Sequence, residues 1–130
     1  MTTASKPEAS PSSAKRVLVV EDELMIRMLL EDMLCELGCT VAAAVAHLDE
    51  AIEAARNAEF DLAILDVNLD GQPVVPVVDA LVARGRPFIF ATGYGEQGLP
   101  EAYRGRPTLK KPFQIDGLSR MLDTVLAAKP

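Results

Sequence analysis

The chain has 130 residues, 49% hydrophobic and 25% charged, which fits one globular domain with its own core and leaves almost no room for a second. Its formal net charge of −6 argues against the non-specific nucleic-acid binding that depends on clustered Lys and Arg neutralising phosphates. No apolar run approaches the roughly 18 residues of a membrane span, and no signal-peptide-like stretch opens the chain. A soluble, cytoplasmic protein with no nucleic-acid and no membrane partner is expected.

Residues 1–14 are mostly Ser, Thr, Ala and Pro and read as a disordered tail. The folded part is expected over 15–130. Arg16–Val20 is a continuous apolar run after its first residue, the mark of a strand covered on both faces and so of a parallel sheet. Ile26, Leu29, Leu30, Met33, Leu34 and Leu37 then recur at helical spacing until Gly38 stops them, which predicts a helix of about four turns. Thr40–Val45 reads as a weaker second strand, and Leu48, Ala51, Ile52 and Ala55 as a short second helix. Leu62–Asp66 is a third strand. Val74, Val77, Val78, Leu81 and Val82 mark a third helix, with Pro76 in its first turn, where a missing N–H costs nothing. Pro87–Thr92 and the short Thr108–Lys110 complete the strands, and Ile115, Leu118, Leu122, Val125 and Leu126 mark a closing helix. Between Gly93 and Pro107, glycine and proline leave little periodicity, so any fourth helix there is expected to be short or mobile.

Five strands alternating with helices predict an α/β, doubly wound parallel sheet, and their number suits the flavodoxin-like strand order 2-1-3-4-5. In that order the carboxyl ends of the strands share one edge, with the first and third adjacent at the switch point. Glu21, Asp22 and Glu23 follow the first strand, Asp66 ends the third, Thr92 ends the fourth, and Lys110, Lys111 and Pro112 leave the fifth. Carboxylates on adjacent strands repel unless something positive lies between them; a hard divalent cation, Mg²⁺ before others, is the simplest answer. Such an ion shares phosphoryl oxygens readily, which suits phosphoryl transfer. Against this, Asp22 has the chemistry of a helix N-cap, Thr92 of an ordinary strand residue and Lys111 of a surface lysine. Asp66 is harder to dismiss, because the four residues before it are apolar and an unpaired carboxylate is costly there.

These residues resemble the receiver domain of bacterial two-component response regulators: "VLVVEDE", "DLAILDVNL", "FATG" and "LKKPF" match its acidic signature, phosphoacceptor strand, hydroxyl strand and lysine–proline pair in order, over about Lys15 to Ala127. The resemblance implies that Asp66 is the phosphorylated residue, that Asp22 and Asp66 bind Mg²⁺ with the main-chain carbonyl of Asn68, and that Glu21 acts through a water. It implies that Thr92 and Lys111 contact the phosphoryl group. It also implies a histidine kinase or phosphotransfer protein as donor, room for a downstream signalling protein as recipient, and no chemistry beyond the domain's own phosphorylation and dephosphorylation.

Departures from the pattern are Glu21 in place of the first aspartate, Asp70-Gly71 where a proline is common, Thr108 at a position often aromatic, and a short segment before Lys111. With "PFIFATGYGE", they resemble a narrower group, the FATGUY single-domain response regulators, which implies partner-switching stress signalling and phosphate flow among kinases. Tyr94 stands two residues past Thr92, where it would either shield an acyl phosphate from water or present its ring to a partner.

Other readings are weaker. An aspartate-nucleophile phosphohydrolase lacks its second aspartate, because Asn68 stands there; a flavodoxin-type cofactor module would need a strand-1 loop that is not acidic; and a receiver-like scaffold without phosphorylation would have no need of the full site. Cys35 and Cys39 are spaced unlike a redox or zinc pair and are expected to pack, as are Met25, Met28 and Met33. His47, Arg104 and Arg106 are expected at the solvated surface.

Overall fold

The computed structural model describes residues 15–93 and 99–127. The expected tail, together with Tyr94, Gly95 and Gly98, lies outside the described residues. Among the described residues, seven strands and four α-helices follow in the order β1 (Arg16–Val20), α1 (Leu24–Glu36), β2 (Thr40–Val45), α2 (Leu48–Asn57), β3 (Leu62–Asp66), β4 (Asn68–Leu69), β5 (Gln72–Pro73), α3 (Val75–Arg84), β6 (Phe88–Thr92), β7 (Thr108–Lys110) and α4 (Ile115–Ala127).

Five of the strands form one parallel sheet in the order β2-β1-β3-β6-β7. This is the flavodoxin-like arrangement expected from the alternation of elements. Strand pleating sends alternate residues to opposite faces. Leu18, Val20, Ala63, Leu65, Phe88 and Phe90 pack in one core with Ala51 and Ala55 of α2 and Val77, Val78 and Leu81 of α3. Val17, Val19, Leu62, Ile64, Ile89 and Ala91 pack in the other with Leu30 and Leu34 of α1 and Leu118, Leu122 and Val125 of α4. Both faces being covered, β1 and β3 carry no polar alternation, which is why they read as continuous apolar runs.

Helix α1 ends as Gly38 foretells. This glycine adopts φ +84°, and Gly38 N–H and Cys39 N–H donate to the carbonyls of Cys35 and Leu34, satisfying acceptors that a helix end otherwise leaves open. The start of the helix differs from expectation. Glu23 is the N-cap residue and makes no side-chain cap bond, so Asp22 is not a cap. Leu24, Met25, Met28 and Leu29 are exposed, Met25 to 81%, and of the three methionines only Met33 packs on the core. Cys35 is also exposed, whereas Cys39 is partly buried against the α1–α4 core. His47, Arg104 and Arg106 are exposed as expected.

In the segment before β7 the described residues form a 3-10 turn at Glu101–Tyr103 rather than a fourth α-helix. Leu99 is buried, and the Tyr103 ring stacks on Phe90 with centroids 4.9 Å apart. One buried and one half-buried anchor thus hold a stretch whose composition opposes helix.

Candidate phosphoryl-transfer site

The parallel order places the ends of β1, β3, β6 and β7 on one edge. Asp66 lies opposite Ala91, and Thr92 opposite Lys110, so Thr92 stands one residue beyond the level of Asp66 and Lys111 emerges next to both. Lys111 N–H donates to the Thr92 carbonyl at 2.9 Å, extending the β6–β7 ladder by one rung. The Lys111–Pro112 peptide is cis.

The side chains converge as the topology requires. Lys111 Nζ lies 2.9 Å from Glu21 Oε1 and 3.0 Å from Asp66 Oδ2. Carboxylate oxygens of Glu21, Asp22 and Asp66 lie within 4.8 Å of one another. Glu21 is almost fully enclosed, at 1% exposure, while Asp66 and Lys111 keep 16% and 15%. Lys110, its chain neighbour, is exposed.

Two supports were not foreseen from the sequence. Arg27 Nη1 donates to the Glu21 main-chain carbonyl at 2.9 Å, bringing a second cation to the edge of the acidic group. Asp70 N–H donates to Asp22 Oδ2 at 3.0 Å. The latter contact comes from a hairpin, β4–β5, whose turn residues are Asp70 at φ 51° and Gly71 at φ +83°. Positive φ at both central residues is the type I′ requirement, which Asp-Gly satisfies better than almost any other pair.

The hairpin also exposes a main-chain acceptor. Leu69 pairs with Gln72 beside the turn, Asn68 with Pro73, and Val74 N–H reaches the Val67 carbonyl at 3.2 Å. In an antiparallel ladder, hydrogen-bonded and non-hydrogen-bonded pairs alternate. The Asn68–Pro73 pair is of the second kind, which is why a proline is tolerated there. The Asn68 N–H and carbonyl therefore point out of the ribbon. The N–H lies 3.4 Å from Asp66 Oδ1, and no hairpin donor competes for the carbonyl. The partly exposed carboxylates of Asp22 and Asp66 and the outward carbonyl of Asn68 offer oxygen donors only, a chemistry that fits Mg²⁺, which keeps several waters and takes few protein ligands.

Replacing Gly71 by Val should loosen this arrangement. Nothing lies within 4 Å of a Cβ at that position, so the cost is conformational, about 1–2 kcal/mol for a side chain held at positive φ. The expected outcome is a lower melting temperature and weaker Mg²⁺ binding in titrations of wild type and variant side by side.

Burial raises the Glu21 carboxyl above its ordinary value of 4.5; the Lys111 hydrogen bond lowers it, the Asp66 charge raises it, and the Glu23 N–H and the Lys111 charge lower it, leaving a net rise. For Lys111, burial acts downward, but hydrogen bonds to Glu21 and Asp66, together with their charges, hold its ammonium above the usual lysine value. A carboxyl whose pKa is raised on folding contributes stability that is full below 4.5 and is lost as pH rises through the folded value. Without divalent cations, the melting temperature of wild type relative to Glu21→Gln should therefore climb as pH falls toward 4.5. A constant difference would contradict the burial assigned to this group.

Comparison with known proteins agrees with this fold. The family model of the response regulator receiver domain matches residues 17–123. The transcriptional regulatory protein PdtaR of Mycobacterium tuberculosis is 31% identical over 120 residues, covering 89% of this chain and 58% of that protein. The chain thus spans little more than half of that relative's length. SdrG from Sphingomonas melonis Fr1, solved in solution, is 41% identical with a TM-score of 0.78 over 87% of this chain and 97% of SdrG. The anti-anti-sigma factor PhyR from Bartonella quintana is 27% identical with a TM-score of 0.76, covering 92% of this chain and 50% of PhyR.

Proposed function

This chain belongs to the response regulator receiver family, and from that membership we propose that it accepts a phosphoryl group on Asp66 from a histidine kinase or phosphotransfer protein. Residues 15–130 form the receiver unit in this reading. The observation that carries it is the Lys111 ammonium held between Glu21 Oε1 and Asp66 Oδ2 at the strand-end crevice. A structural ion pair needs one carboxylate; here one lysine faces two, with Asp22 beside them, and the excess negative charge calls for a further cation.

Asp22, Asp66 and the Asn68 carbonyl would hold Mg²⁺, with Glu21 acting through a water. When bound, the ion supplies positive charge against the phosphoryl oxygens. An Asp66 carboxylate oxygen attacks phosphorus; the P–O bond forms as the donor's P–N bond breaks, and the imidazole departs. Lys111 neutralises charge on one phosphoryl oxygen and the Thr92 hydroxyl donates to another, groups fixed in advance by β6 and β7. Hydrolysis of the acyl phosphate restores the carboxylate, so the chain turns over no substrate other than its own phosphoryl group.

The signal would pass by contact with a downstream protein or drain away with this chain as a phosphate sink, in the cytoplasm. Among the described residues no helix is long and apolar enough to cross a membrane. The Phe90–Gly93 run favours a FATGUY-type regulator; the likeness to the anti-anti-sigma factor PhyR favours partner switching as its output.

Acetyl phosphate treatment followed by intact mass tests the reading. Wild type with Mg²⁺ should gain one phosphoryl group, and wild type with chelator none. Asp22→Ala should lose both Mg²⁺ binding and phosphorylation. Uptake by that variant at the wild-type rate would place the ion elsewhere.

A further inference from the structure

At the opposite edge of the sheet, where the strands begin, the structure holds a cleft of about 640 Å³, within the range of small-molecule sites. Val82 of α3, Phe88 of β6, and Val125 and Leu126 of α4 supply apolar wall. Lys15, Arg86 and Arg106 bring three positive charges to the same space, on a chain whose net charge is −6.

Nothing among the described residues neutralises those charges. The one carboxylate in the lining, Asp61, is engaged elsewhere: its Oδ2 accepts the Arg16 N–H at 2.8 Å and lies 3.8 Å from Arg16 Nε. No ion pair among the described residues includes Lys15, Arg86 or Arg106. Arg106 lies 5.2 Å over the Phe88 ring, and the Arg86 guanidinium 6.0 Å from that of Phe60, contacts that orient the cations without cancelling their charge. Arg86 Nε is buried and has no hydrogen-bond acceptor among the described residues.

We propose that this cleft binds a small organic anion, with an apolar body against Val82, Phe88 and Leu126 and a carboxylate, sulfonate or phosphate head between Arg86 and Arg106. An apolar compound alone would leave the three cations of the lining without a counter-charge, and an inorganic anion alone would leave the apolar wall wet, so the ligand needs both parts. The site lies at the far edge of the sheet from Asp66, and the proposal stands independently of phosphoryl transfer.

The probe is 8-anilinonaphthalene-1-sulfonate, titrated into the full chain and followed by fluorescence and amide NMR shifts. Its neutral counterpart, N-phenyl-1-naphthylamine, is titrated in parallel. Shifts are expected at Phe88, Arg106 and Val125. Arg86→Gln and Arg106→Glu should weaken sulfonate binding about tenfold or more, while the neutral compound binds these variants as it binds wild type. Val82→Glu, at a position 54% exposed and therefore harmless to folding, should weaken the sulfonate as well. Absence of sulfonate binding, equal affinity across the charge variants, or shifts centred on Met25 and Met28 of α1 would each overturn the proposal.

Discussion

Asp66→Asn is expected to abolish phosphoryl uptake from acetyl phosphate while leaving a folded and, without divalent cations, more stable protein. The carboxylate faces Glu21 and Asp22 with one lysine to share, and its charge is one of the causes that raise the Glu21 carboxyl. Asparagine keeps an oxygen for Lys111 and removes the repulsion, which at this partly exposed site amounts to about 1 kcal/mol. Thermal melts should show the variant above wild type, and added Mg²⁺ should narrow the gap by stabilising wild type alone. An equal mass gain in both proteins would remove Asp66 from the mechanism.

Lys111→Met should slow transfer and, unlike Asp66→Asn, destabilise the fold. It removes the ammonium placed to offset charge in transfer, and losing one preorganised donor of this kind costs about 10²-fold or more in rate. It also leaves Glu21 enclosed without its partner. Breaking a fully buried pair costs about 3–5 kcal/mol; the 15–16% exposure of Lys111 and Asp66 and the ability of Glu21 to take a proton reduce this to about 2–3 kcal/mol. Since Mg²⁺ supplies charge at the same carboxylates, the stability deficit should shrink as the ion is added. Lys110→Met, at the exposed neighbouring position, should leave both rate and stability near wild type; comparable losses from the two substitutions would mean that Lys111 has no special place.

The parts of this molecule that could be read without coordinates are those where burial writes directly on composition. β1 and β3 are covered on both faces, so their apolar runs announced a parallel sheet, and the strand order then brought Glu21, Asp22, Asp66, Thr92 and Lys111 to one edge. The β4–β5 hairpin escaped because strands of two residues have no periodicity; its only signal is Asp70-Gly71, whose turn preference is visible in retrospect. The Asp70 contact to Asp22 spans 48 positions and leaves no local pattern at all. On α1, helical spacing identifies a core stripe but not its width, so Met25 and Met28 were expected to pack although the stripe ends short of them. Tyr103 on Phe90 is a tertiary contact in a segment where glycine and proline hide any repeat.

The central claim is that Asp66 receives the phosphoryl group, and borohydride trapping after acetyl phosphate and Mg²⁺ treatment tests it at residue resolution, because reduction of an aspartyl phosphate leaves homoserine at that position. Peptide mass mapping should place homoserine at position 66 and nowhere else, and only when Mg²⁺ is present. Homoserine at another aspartate, or an unmodified Asp66 in a protein that has gained a phosphoryl group, would contradict the account.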